Sequence, residues 1–219
     1  MGAKDAPVAL LMHGWSGRGL QFREMIAPLL EEGYQVVTFD APGHGRSTGK
    51  ESNIILFKDA LLKIQQELGF IHLLIAHSLG GAASWYARVE GLEVGKMVSI
   101  STPSIPAQII QEYLVRINAS ARTGKALEDH VENLVDRSFE SFGAYVNAPL
   151  APAIPTLLFH DLKDKEVSIR HLEKLQEVLP HAKSSLSDGL GHNRILKDAG
   201  IIRQIVSFAR LEKRQTISA

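Results

Sequence analysis

Short, unbroken apolar runs alternate along this chain with longer amphipathic stretches. Val8-Ala9-Leu10-Leu11-Met12 runs into His13-Gly14, and Gln35 to Phe39 runs into Asp40. Ile71 to Ala76, Met97 to Ile100 and Thr156 to Phe159 follow, with a weaker sixth run from Ala182 to Leu186. Runs of this length, bounded by Gly, Pro, Asp or Ser, read as strands buried on both faces, which is how parallel strands look in sequence.

The stretches between them carry helical spacing. Within Leu20–Glu32 the apolar set is Phe22, Met25, Ile26, Leu29 and Leu30, and Gly33 supplies a left-handed cap. Ile54–Leu68 places Ile54, Phe57, Leu61, Ile64 and Leu68 on one stripe before Gly69. Ser168–Leu179 has Ser168 as an N-cap and Pro180 as a stop, and Ile201–Leu211 has Asp198 as its cap. Alternating strands and helices predict an α/β fold, a three-layer α/β/α sandwich around a mostly parallel sheet of about six strands. The rhythm breaks between Ser104 and Pro152. Two amphipathic patterns lie there, one on Ile109, Ile110, Tyr113, Leu114 and Ile117, the other on Leu127, Val131, Leu134, Val135, Phe139 and Phe142. A crossover needs only about a dozen residues, so 104–152 reads as a small helical lid inserted into a single 1–219 domain.

Composition narrows the function. The chain has 219 residues, 45% hydrophobic and 22% charged, enough for a core without metal or disulfide staples. Its 24 basic and 24 acidic residues cancel, which argues against nucleic acid and anionic lipid as partners. The absence of cysteine excludes a disulfide scaffold and a thiol nucleophile. No apolar run approaches the ~18–20 residues of a membrane span, and no signal-peptide core is seen near Met1, so a cytoplasmic location is expected. No cofactor or metal is expected, and oligomeric state is not legible.

The polar punctuation sits where a parallel sheet gathers its chemistry, at the carboxyl ends of the strands. Ala76-His77-Ser78-Leu79-Gly80-Gly81 reads as strand, sharp turn and helix, close to the G-x-S-x-G pattern of an exposed nucleophilic serine. Small residues two before and two after Ser78 let the turn pass its neighbours, and Ala76 adds only a methyl. The free N–H of Leu79 and the helix dipole would favour an oxyanion. Gly14 would let the N–H of Trp15 aim at the same spot, with the Trp15 side chain walling an acyl pocket. A serine needs a base and the base an orienting acid, in the order Ser, acid, His on such a scaffold. His192, in the Gly-bracketed loop after the last strand, is the expected base. Asp161, Asp164 and Glu166 follow the fifth strand. Asp164, set deeper in the loop, is favoured as the acid, while Asp161 is expected to hold the turn. His160 reads as buried and structural, and His77 as a brace for the elbow. The stretch Asp40 to Ser47 reads as a structural loop against the oxyanion turn, since His13, His44 and His77 lack metal-ligand spacing.

Together these motifs resemble the α/β-hydrolase fold family: His13-Gly14-Trp15, Asp40-Ala41-Pro42-Gly43-His44-Gly45-Arg46-Ser47, Ala76-His77-Ser78-Leu79-Gly80-Gly81, Asp164 with Val167, and Gly191-His192, spread over nearly the whole chain. The resemblance implies Ser78 as nucleophile, Asp164 as acid, His192 as base, and Trp15 and Leu79 as oxyanion donors. Three departures stand out: Ala76 for the usual Gly, Asp161 where Gly is frequent, and no antiparallel hairpin ahead of the first strand. The last predicts an open sheet edge.

The expected activity is that of a carboxylesterase-type serine hydrolase, acting on a small-molecule ester of small or medium acyl length. The alternative is a ligand-binding or signalling module on the same fold. A nucleotide-binding domain is disfavoured, because neither G-x-x-x-x-G-K-[ST] nor G-x-G-x-x-G occurs.

Overall fold

The structure, a computed structural model, describes residues 1–135 and 137–211. The side chains of Leu134 and Val135, two apolar positions of the second lid pattern, also lie outside what it describes. Six strands form one sheet: β1 Val8–Met12, β2 Gln35–Thr38, β3 Ile71–His77, β4 Val94–Ile100, β5 Thr156–Asp161 and β6 Lys183–Ser187. All pairs are parallel, in the order β2-β1-β3-β4-β5-β6. The chain leaves β1 toward one edge and returns to lay β3 on its other side. That reversal opens a crevice beyond the carboxyl ends of β1 and β3, where ligands of such sheets bind.

Alternation within the strands builds the two faces. Ala9, Leu11, Leu73, Ile75, Val98, Ile100 and Phe159 pack against α1 (Arg23–Glu31) and α9 (Ala199–Ala209) through Met25, Leu29, Ile201 and Ile205. Leu10, Met12, Leu74 and Ala76 point the other way, onto Phe57 and Leu61 of α2 (Ile54–Leu68) and Ala83 and Ala87 of α3 (Leu79–Val89). Farther along that face, Met97 and Leu158 meet Trp85 of α3 and Leu172 and Leu175 of α7 (Ile169–Val178). Burial on both faces is why the central strands read as unbroken apolar runs. The sixth run was weak because β6 is an edge strand, with Leu186 52% exposed.

Of the two expected N-caps Asp198 is in place and Ser168 is not, and α2 carries a further cap, Asn53. Asn53 Oδ1 accepts from Leu56 N at 2.9 Å, and Asp198 Oδ1 from Gly200 N at 2.8 Å. Ser168 occupies the N-cap position of α7, but its hydroxyl caps nothing and donates to Glu112 at 2.5 Å. The outer edge of β2 is not bare at Val36, which exchanges two hydrogen bonds of 2.8 Å with Met1. Between β4 and β5 the inserted stretch forms α4 (Pro106–Arg116), α5 (Ala121–Val135), a tight turn at Phe139–Phe142 and the short α6 (Ala144–Asn147). Among the described residues no helix is long and apolar enough to cross a membrane.

Asp161, the last residue of β5, ties the ends of β5 and β6 together. It is fully buried, and its carboxylate accepts from Ser187 Oγ at 2.7 Å, Leu190 N at 2.9 Å, Lys163 N at 2.9 Å and Gly189 N at 3.3 Å. Burial alone would raise its pKa; the bonds from Ser187 and the loop N–H groups outweigh that and hold the carboxyl well below the usual range. Because the folded value lies below the unfolded one, this group stabilises the fold above the ordinary aspartate value of 3.8. That contribution is lost as the pH falls through the folded value. Urea unfolding from pH 6 to pH 2 should show D161N less stable at pH 6 and flatter in its acid dependence than the parent. A parallel acid slope in both proteins would contradict this role.

Candidate active site

Ser78 sits between β3 and α3 with φ 52° and ψ −127°, a conformation that non-glycine residues adopt at a cost of about 1–3 kcal/mol. The surrounding backbone holds it there. Ser78 N donates to Ile100 O at 2.9 Å, and Ser78 O accepts from Gly81 N at 2.8 Å. The need for small neighbours is steric. A Cβ on Gly80 would meet Met12 O at 2.8 Å and collide with His13 O, and one on Gly81 would collide with Thr102 Oγ1. Ala76, at the other small position, is fully buried.

The turn after β1 lies directly against this serine. A side chain on Gly14 would come within 2.6 Å of Ser78 Cβ and 3.1 Å of His77 O. His13, fully buried, fixes the turn. Its Nε2 accepts from Ala41 N at 2.8 Å, so its proton is on Nδ1, which donates to Gly14 O at 2.7 Å. Burial pushes the His13 pKa down, in keeping with a neutral ring. Gly17 N also donates to Gly14 O, at 3.1 Å. In a planar trans peptide the next N–H points opposite to the carbonyl, so the Trp15 N–H is turned away from His13. Neither it nor the Leu79 N–H, first in α3, has an acceptor among the described residues. The Asp40–Ser47 loop buttresses this turn: Ser16 N donates to His44 Nε2 at 3.1 Å, and the rings of Trp15 and His44 meet edge to face at 5.3 Å. The Trp15 side chain is 58% exposed.

His192 lies in the short helix α8 (Gly191–Arg194) beyond β6, and its Nδ1 donates to Asp164 Oδ2 at 2.8 Å. The Asp164 side chain is inaccessible to solvent, and its other oxygen accepts from Glu166 N at 2.9 Å and Val167 N at 3.0 Å. Burial would raise the Asp164 pKa, but His192 and the two N–H groups outweigh it and lower the value, keeping the carboxylate charged. Asp161 is fully occupied in joining β5 to β6. Glu166 turns outward, near Asn193 and Arg116. Of the three acids after β5, His192 is paired with Asp164. The Ser78 hydroxyl makes no hydrogen bond to His192 here, although the two loops are joined next door.

That junction is His77. Its Nε2 donates to the His192 carbonyl at 2.9 Å, and the two rings lie 4.6 Å apart. Complete burial, and then the neighbouring His192, lower its pKa to about 3, so it is a neutral donor. His160, behind the acid loop, donates from Nε2 to Val167 O at 2.8 Å. Sequence reasoning missed a further buried group. His171 Nδ1 accepts from Ser104 N at 3.0 Å and Ile105 N at 3.1 Å, while its Nε2 faces Glu112 of α4 at 3.4 Å. Its only sequence signal was a histidine beside an apolar helical stripe.

The comparisons with known proteins agree with this architecture. The sequence profile of the alpha/beta hydrolase fold matches residues 7–127, more than half of the 219-residue chain. A bifunctional esterase/perhydrolase from Acinetobacter calcoaceticus is 34% identical over 107 residues, 46% of this chain and 38% of that protein. The magnesium-chelatase 30 kDa subunit of Rhodobacter capsulatus is 41% identical over 85 residues, 37% of this chain and 30% of that protein. The match thus spans about a third of the length of these relatives. Among solved structures, the esterase from Exiguobacterium antarcticum superposes with a TM-score of 0.71 at 17% identity, covering 96% of this chain and 94% of that one. The Paleococcus ferrophilus monoacylglycerol lipase gives 0.70 at 22% identity, covering 92% and 93%. From its profile match and its six-stranded parallel sheet, the chain belongs to the α/β-hydrolase fold family.

Proposed function

We propose that this protein is a serine hydrolase that cleaves carboxylic esters of small or medium acyl groups through an acyl-enzyme. The observation that carries the reading is the buried 2.8 Å bond from His192 Nδ1 to Asp164, held beside a strained serine turn. With its proton on Nδ1, His192 has a free lone pair on Nε2 for the Ser78 proton. Ser78 Oγ attacks the ester carbonyl as that proton leaves, and Asp164 stabilises the resulting imidazolium. The oxyanion takes hydrogen bonds from the N–H groups of Trp15 and Leu79, each worth about 3–4 kcal/mol of barrier. The tetrahedral species collapses, His192 protonates the departing alkoxide, and the alcohol leaves. Water, deprotonated by His192, then adds to the acyl-enzyme, and its breakdown frees the carboxylic acid and Ser78. The missing Ser78–His192 bond is consistent with substrate-free sites, where such bonds are often long and tighten around the substrate.

The esterase and lipase activities named for the similar proteins support ester substrates. We read α4 and α5 as a lid over this end of the sheet, supported by their place between β4 and β5. Glu112 of α4 bonds Ser168 Oγ at 2.5 Å and Ser168 N at 3.2 Å, which fastens the lid helix to the start of α7.

The first test is covalent labelling. A fluorophosphonate probe should modify the parent protein at Ser78 alone, and S78A should be unlabelled and inactive on p-nitrophenyl esters while keeping its folded circular dichroism spectrum. Folded parent protein that resists the probe would instead favour the ligand-binding module. D164N should lower kcat about 10⁴-fold, because the imidazole loses its tautomer.

A second test addresses the bond between the elbow and the base loop. Replacing His77 by Phe keeps a ring against His192 but removes the donor to its carbonyl. A displaced base costs up to about a hundredfold in rate, so H77F should reduce kcat by ten- to a hundredfold with little change in KM. A rise in KM at constant kcat would place His77 in substrate binding instead.

A further inference from the structure

A second polar site lies on the flank of α3, away from Ser78. At 1.5 Å rise per residue, Trp85 and Arg88 sit about 10 and 15 Å along the helix from Ser78. They are three apart and share a face. Together with Pro149, Pro152, Val178 and the exposed His181 they line a cavity of about 220 Å³. Arg88 is only 5% exposed and Trp85 1%. A guanidinium stays charged in a protein, and a buried charge without a counter-ion is costly. Yet Arg88 has no carboxylate within ion-pair distance among the described residues. What it has is one carbonyl, Pro152 O, which accepts from Nη2, and the Trp85 ring, whose centroid lies 5.4 Å from its Cζ. Among the described residues, Arg88 Nε and Trp85 Nε1, both closed off from solvent, have no acceptor.

A guanidinium that borders an open cavity, with no counter-ion among the described residues, is complementary to an oxyanion. We propose that this cavity binds a small monocarboxylate, its carboxylate paired with Arg88 and its short alkyl part resting on Pro149, Pro152 and Val178. Charge balance selects a monocarboxylate over phosphate. Arg88 supplies one positive charge, and a phosphate of about −1.5 to −2 would leave negative charge uncompensated against proline and aliphatic walls.

The chain has two tryptophans, so the full-length ¹⁵N-labelled protein should show two indole N–H resonances, and W15F assigns the one from Trp85. Sodium butyrate is titrated against sodium chloride of equal ionic strength. The Trp85 indole signal should move saturably with butyrate, half-maximally in the millimolar range, and stay still with chloride. Carboxylate bound at the Ser78 site instead would move the Trp15 signal and leave Trp85 unchanged, which overturns the proposal. In R88M the Trp85 response should vanish, and its persistence would also overturn it. Should R88M not fold, Ala153→Leu narrows the cavity with Arg88 intact and should weaken butyrate at least tenfold; unchanged binding counts against the site. Sodium phosphate saturating the same signal at a lower concentration than butyrate would refute the monocarboxylate assignment.

Discussion

The arrangement at the heart of this fold depends on how closely two backbone turns approach each other. β1 and β3 are neighbours in the sheet, so the turns leaving them emerge side by side, and Gly14 has its Cα where a side chain would overlap Ser78. That contact leaves the Leu79 and Trp15 N–H groups without acceptors among the described residues, beside a half-buried serine. The left-handed backbone at Ser78 is stabilised by its bonds to β4 and by the small residues around it. A methyl group on Gly14 or Gly80 would separate the two turns and dissolve the arrangement, with no change in any polar side chain.

A second division of labour separates two aspartates three residues apart. Asp161 faces the β6 loop and spends its carboxylate on a hydroxyl and backbone N–H groups. Asp164 uses one oxygen for the turn it sits in and keeps the other for His192. The first acid shapes the loop that presents His192, and the second orients the ring once it has arrived. Both are charged in a dry setting because donors surround them, so burial sharpens their interactions without neutralising them.

Much of this was legible from residue types alone. The central strands were readable because parallel strands inside a sheet are apolar on both faces, and Ile54–Leu68 was readable to the residue from its apolar stripe and the Gly69 that follows it. Loop order brought His192 to the same end of the sheet as Asp161, Asp164 and Glu166, and depth in the loop favoured Asp164, the one that bonds it. Three-dimensional partnership was not legible where a side chain answers to a distant element. Ser168 looked like a cap by position, but Glu112, 56 residues away, offers its hydroxyl a charged acceptor. His77 looked local to its turn, yet its ring reaches a carbonyl 115 residues on. Nothing in the spacing of Trp85 and Arg88 distinguished them from an ordinary helical face, because the lack of a counter-ion for Arg88 among the described residues is a property of the surroundings.

Several of the buried histidines answer the leftover backbone groups of crossing loops. An imidazole with one N–H and one lone pair can satisfy one spare carbonyl and one spare N–H, which is what two crossing loops leave over. His13 accepts from Ala41 and donates to Gly14; His44 accepts from Ser16 and donates to Pro42 at 3.0 Å. His171 accepts from two N–H groups at once, where the chain leaves β4 for α4. For His13 and His171 burial lowers the pKa, and protonation would set an N–H donor against another N–H donor. Their folded values lie below the unfolded one, so the fold loses stability through them as the pH drops beneath the ordinary histidine value of 6.5. His192 is engaged through Nδ1 by Asp164, and in the proposed mechanism its other nitrogen is the one that takes the Ser78 proton.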